Sequence, residues 1–138
     1  MLLSCSARDE ETERAREAVT LICRSQVAFY VEKGRLTDRL SELRIEWLNL
    51  SQTTPHYTYS IQLLPLGSPQ TAVTLAVDKR DRLHFMGIVR KQQEGHQFQT
   101  IICQGKTLPS RVEEFSAHST APRPDCPAGL QLAASVIN

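Results

Sequence analysis

Long apolar runs are missing from this sequence of 138 residues, and no stretch approaches the ~20 apolar residues that cross a bilayer. An excess of one charge is missing too. Lys and Arg number 16 against 15 Asp and Glu, a formal net charge of +1. Binding a polyanion by bulk charge is therefore excluded, and only a local basic patch is left for that role. No cysteine pair has the C-x-x-C spacing of zinc ribbons or thioredoxin-like sites. The four histidines (His56, His84, His96 and His118) are scattered, without the H-x-x-x-H spacing of metal ligands. G-x-S-x-G, H-E-x-x-H and a phosphate-cradling glycine loop are also absent. Cys23 precedes Arg24, but in mid-helix with no histidine partner it reads as a small, inert apolar residue. No enzyme is expected, and no metal or cofactor.

What is present is the composition of one folded domain: 41% apolar and 22% charged residues in a chain too short for two sizeable cores. From Asp9 to about Lys33 the pattern is helical. Ala15, Ala18, Val19, Ile22 and Phe29 recur at three- and four-residue steps, while charged residues fall largely elsewhere. Asp9, Glu10 and Glu11 suit the positive end of a helix dipole, and Lys33-Gly34 is a stop signal. Those carboxylates lie on a solvated face with no apolar shell, so they do not read as an acid/base pair. Thr37 reads as the N-cap of a short helix, Asp38 to Leu43, with Leu40 and Leu43 inward.

Beyond the loop Ser51 to Pro55 the period changes to two. Tyr57, Tyr59, Ile61 and Leu63 alternate with polar residues, as in a half-buried antiparallel strand. Leu64 to Gln70 is a turn. Strands are expected at 71–77, 83–90 and 97–103, the first two joined by the polar turn Asp78-Lys79-Arg80-Asp81. Four of the seven prolines lie beyond Gly105, which marks a looped tail. The helix should cover a sheet face made of Tyr57, Tyr59, Ile61, Val73, Leu75, Val77 and Phe85. The expected architecture is α+β: a long N-terminal helix packed on a four-stranded antiparallel sheet, with a looped C-terminal segment.

Cys103 and Cys126 invite a bridge, because one ends a strand and the other sits in a proline-rich tail that gains from a staple. A bridge implies an oxidising compartment; four free, mostly buried thiols in a cytosolic protein is the competing reading. Met1-Leu2-Leu3-Ser4-Cys5 looks like the end of a bacterial lipoprotein signal, with Cys5 as the lipidated residue, though the basic and apolar regions of such a signal are not in the sequence.

The run Arg24 to Leu36 (RSQVAFYVEKGRL) resembles the helix end and following turn of type IV pilin-like proteins, which have a Gln/Ala-rich run, paired aromatics, a Glu and then Gly or Asn. Thr37 to Leu43 is similar to their short loop helix, Tyr57 to Ile61 to their first strand, and Cys103 with Cys126-Pro127-Ala128-Gly129 to their closing cysteine pair. The resemblance is to the type IV pilin-like G/H family and covers residues 15–130. It implies a pilin-like roll clipped by a Cys103–Cys126 disulfide. Pilins also carry a prepilin-peptidase site and a long apolar helix, and neither is in this sequence. Cys23 has no counterpart in the family pattern.

The resemblance implies a non-enzymatic structural or assembly component, like a pilin or pseudopilin head, whose partners are pilus or secretion-machinery proteins. The alternative is an extracytoplasmic lipoprotein whose pilin-like domain, anchored at Cys5, binds another partner outside any filament. Residues 1–8 are then a signal remnant, 9–130 the head and 131–138 a tail. Either way the location is the periplasm or cell surface, with membrane association through a lipid or an upstream helix. Nucleic acid is not an expected partner. Lys79, Arg80 and Arg82 cluster at one turn, but Tyr57 and Tyr59 are in phase with the core residues Ile61 and Leu63, so the basic turn reads as solvated.

Overall fold

A computed structural model of the chain describes residues 2–45, 55–64, 70–92, 97–108, 126–127 and 129–137. One helix, α1 (Leu2–Lys33), is followed by a short 3-10 turn (Leu40–Leu43) and five strands: β1 (Tyr57–Leu63), β2 (Thr71–Asp78), β3 (His84–Lys91), β4 (Phe98–Gly105) and β5 (Gln131–Ile137). The strands form one antiparallel sheet in the order β1-β2-β3-β4-β5, and α1 lies over β2, β3 and β4. The expected α+β roll is present, enlarged by a fifth strand. The stretch read as a tail from residue 131 pairs with β4, from Gln131 opposite Gln104 to Ile137 opposite Gln99.

The helix starts earlier than its acidic run suggests. Nothing between Leu2 and Ala7 breaks a helix, so Asp9, Glu10 and Glu11 lie inside it and not in its first turn. Its end is as expected. Gly34 takes a positive φ of 77°, and its N–H donates to the Tyr30 carbonyl at 2.7 Å. Thr37 is not a helix N-cap. The 3-10 turn is preceded by Arg39, and the Thr37 hydroxyl accepts the Arg39 N–H at 3.1 Å.

Ala15, Ala18, Val19, Ile22 and Cys23 are fully buried against the sheet. Phe29, expected on the same face, is buried instead beside the 3-10 turn, near Leu43 and under the Arg35 guanidinium at 5.1 Å. Burying Ile22 and Phe29 contributes about 1.5–3 kcal/mol each. The sheet face beneath the helix carries Tyr57, Tyr59, Ile61, Ala72, Ala76, Phe85, Val89, Phe98 and Ile102. Val73 and Leu75 belong instead to a second cluster, with Met86, Ile88, Ile101, Cys103 and Leu130. The register explains the correction. Thr74 is the residue opposite both Ile61 and Gly87, so Val73, Leu75 and Val77 point to the other face. β2 is apolar on both faces, and its alternation therefore carries no sign of which side meets the helix.

The helix approaches β3 most closely at Gly87. A Cβ there would lie 2.4 Å from Cys23 Sγ and 2.7 Å from Val19 Cγ1. This fixes the role of Cys23 as a small residue at the helix–sheet crossing. Burial pushes its thiol up to about 12, so it is not a nucleophile. Gly87→Ala is expected to lower stability by about 1–3 kcal/mol through overpacking. Urea denaturation of the two proteins measures this, and an unchanged midpoint would contradict the close contact.

Candidate contact surfaces

Three polar arrangements fasten α1 and its C-terminal turn. At the β2–β3 end, the buried Asp78 carboxylate accepts from the Arg80 N–H (2.9 Å), the Arg80 guanidinium (3.0 Å) and the Leu83 N–H (3.2 Å). Arg80 also lies 3.9 Å from Glu11 of α1, and His56 Nε2 lies 3.2 Å from the same Glu11 oxygen. Burial alone would raise the Asp78 pKa, but the hydrogen bonds and the Arg80 charge outweigh it and hold the carboxyl below its ordinary value. His84 is buried, and its Nδ1 accepts the Asp78 N–H at 2.9 Å, so it is a structural residue. The Tyr57 hydroxyl donates to the Leu83 carbonyl at 2.9 Å. Arg80 is thus tied into the fold, and the basic turn is not simply solvated.

At the other end, the buried Gln26 side chain accepts from the Thr37 N–H at 3.0 Å and donates to the Thr37 carbonyl at 2.5 Å. The Thr37 hydroxyl donates to Glu42, which also accepts from Arg35 at 2.9 Å. These bonds, the Thr37 hydroxyl foremost, lower the Glu42 pKa. Beside the helix end, Lys91 Nζ donates to the Tyr30 hydroxyl at 2.7 Å, and the Tyr30 ring meets Phe98 edge-on at 5.0 Å.

With its inner face fastened, α1 offers the outer stripe Leu21, Arg24, Ala28 and Val31. Val31 is 79% exposed and Leu21 36%. The open edge of β5 lies beyond the helix, with Leu132 60% exposed. A groove between the two is lined by Arg16, Glu17, Thr20, Leu21, Arg24 and Ala134.

Cys103 and Cys126 are joined by a disulfide, with Cα atoms 5.7 Å apart. The bridge ties the segment before β5 to the sheet face opposite α1. Cys5 lies in the early turns of α1. His96, His118 and the segments 46–54, 65–69, 93–96 and 109–125 lie outside the described residues. Among the described residues no group of three His, Cys, Asp or Glu is placed to hold a metal, and no helix is long and apolar enough to cross a membrane.

Sequence reasoning missed the Asp78 anchor and the β5 edge. The signals were an acid closing an apolar strand, and an uncharged run, Gln131 to Ile137, after the last proline.

No curated protein and no solved structure matches the chain. The sequence pattern of the type IV pilin-like G and H family matches residues 12–127, from the start of the packed part of α1 to just past Cys126. That span holds α1 from residue 12 onward, the first four strands and both bridged cysteines, and the chain belongs to the type IV pilin-like G and H family.

Proposed function

We propose that this chain is a structural head of a type IV pilus or a related secretion pseudopilus, working outside the cytoplasm through protein–protein contacts. The observation that carries the reading is the family match over 12–127, which coincides with a helix-on-sheet roll clipped by a disulfide. The disulfide supports an oxidising compartment. A rigid helix of 32 residues, about 48 Å long, is suited to holding the sheet away from whatever carries its N-terminal end. Purified from its own host, the natural reading frame is expected to bring down pilus or secretion-machinery proteins. Recovery of the head alone would count against assembly.

A second reading is favoured by Cys5 itself. It follows Ser4 on a helix that runs unbroken into the packed region, so an acyl group there would sit about 15 Å from Ala15 along the axis. In this reading the head is an extracytoplasmic lipoprotein that binds a partner at the membrane without joining a filament. Two acyl chains on one cysteine would give stable membrane residence. Cys5→Ser in the natural reading frame separates the two. The lipoprotein reading predicts a shift from membrane to soluble fractions, and identical fractionation would remove it.

A further inference from the structure

We propose that β5 is a pairing edge for a second copy of this chain, the two copies joined by antiparallel β5–β5 pairing about a two-fold axis. β5 is the last strand of the sheet, so one side of its backbone has no strand partner among the described residues. Edge strands are ordinarily protected by Lys, Glu or Pro, or by bulges that turn the edge away. Gln131 to Ile137 contains no charged residue and no proline. Its one irregularity is at Ala133, the extra residue between Leu132 opposite Cys103 and Ala134 opposite Ile102. Beyond it, Ala134 to Ile137 run in regular register. Leu132 on one side of the sheet and Ala134 on the other are both exposed.

The occupant is identified by charge. An isologous contact sets each surface against itself, so it must be self-complementary. An uncharged strand meets this condition, since no like charges come face to face. The helix flank along the groove beside the edge meets it as well. Along the groove, Glu17 and Arg24 stand about one turn to either side of the pair Thr20 and Leu21, while the remaining charge, Arg16, is paired with Glu13 of its own helix. Antiparallel pairing of β5 with its copy places the two α1 helices on the same side of the joined sheet, running in opposite directions. The Glu17 end of one then faces the Arg24 end of the other across the seam. An acidic or a basic partner strand would find only half of that pattern complementary.

The pairing deepens the assembly reading above and rests on it for its biological sense. The two fail separately, because a monomeric head leaves co-purification with pilus proteins untouched. Sedimentation equilibrium of the purified chain over a wide concentration range is the test. The expected result is the mass of two chains at high concentration, dissociating on dilution. Leu132→Lys with Ala134→Lys changes only exposed positions, and circular dichroism checks that the fold is retained. This variant is expected to weaken the dimer by about tenfold or more. Glu17→Arg alone should weaken it too, and adding Arg24→Glu should restore it, because each copy carries both halves of the pattern. A one-chain mass throughout, a dimer indifferent to the two lysines, or no rescue by the charge swap would each overturn the proposal.

Discussion

Replacing Asp78 by Ala is expected to cost about 3 kcal/mol, as large as truncating a side chain of the apolar core. The side chain is fully buried and gathers the β2–β3 turn around itself. Its loss leaves the N–H groups of Arg80 and Leu83 without their acceptor. It also frees the Arg80 guanidinium, leaving it beside Glu11 and the Tyr57 ring. Arg80 retains some exposure to water, so the cost falls at the lower end of the range for breaking a buried ion pair.

The same carboxylate sets an acid limit. Its folded pKa lies below the ordinary 3.8, so its contribution is complete above about pH 4 and is lost as the pH falls through the folded value. Urea titrations should show the wild-type chain losing stability below pH 4 more steeply than Asp78→Ala. Parallel curves would mean that the anchor is not formed. Glu42, also lowered, works in the same direction at the opposite end of the helix.

Removing the Cys103–Cys126 bridge is the second large effect. The cysteines are 23 residues apart, and loop-closure entropy for that span gives about 3.5 kcal/mol. Cys103 is buried on the sheet face opposite α1, in the cluster that includes Leu130 at the entry to β5. The double variant Cys103→Ser, Cys126→Ser should therefore loosen β5 before the rest of the sheet. Hydrogen exchange reads this directly, as lost protection in 131–137 with β2 and β3 still protected. Uniform loss across all five strands would show that the sheet unfolds as one unit.

How much of this was legible depended on whether one residue pattern had one structural solution. The helix was legible because Ala15, Val19, Ile22 and Phe29 share a face at helical spacing and charges occupy the rest. β1 was legible from Tyr57 to Ile61 because its polar face is solvated, so alternation and burial coincide there; Leu63, read as a core residue, is 39% exposed at the strand's end. β2 was legible as a strand but not as an oriented one, since Ala72 and Ala76 face the helix and the larger Val73 and Leu75 face the other way. Small residues on the helix side follow from the same close approach that requires Gly87, which no local pattern encodes. β5 was read as a tail because it follows a proline-rich stretch, and its pairing with β4 is a long-range contact. Tyr57 and Tyr59 were correctly read as core. The Arg80 anchor was not, since an Asp-Lys-Arg-Asp turn has the same composition whether or not its first acid is buried.

The central claim, that the head works by contact within a pilus or secretion assembly, is tested most directly by photo-cross-linking in the native host. A photoreactive residue in place of Val31, the most exposed large apolar side chain of α1 among the described residues, reports what that face touches without altering the packed face. The account predicts covalent adducts with pilus or secretion-machinery proteins, identified by mass spectrometry. A folded, exported head that yields no such adducts, or adducts only with proteins unrelated to either machinery, would contradict it.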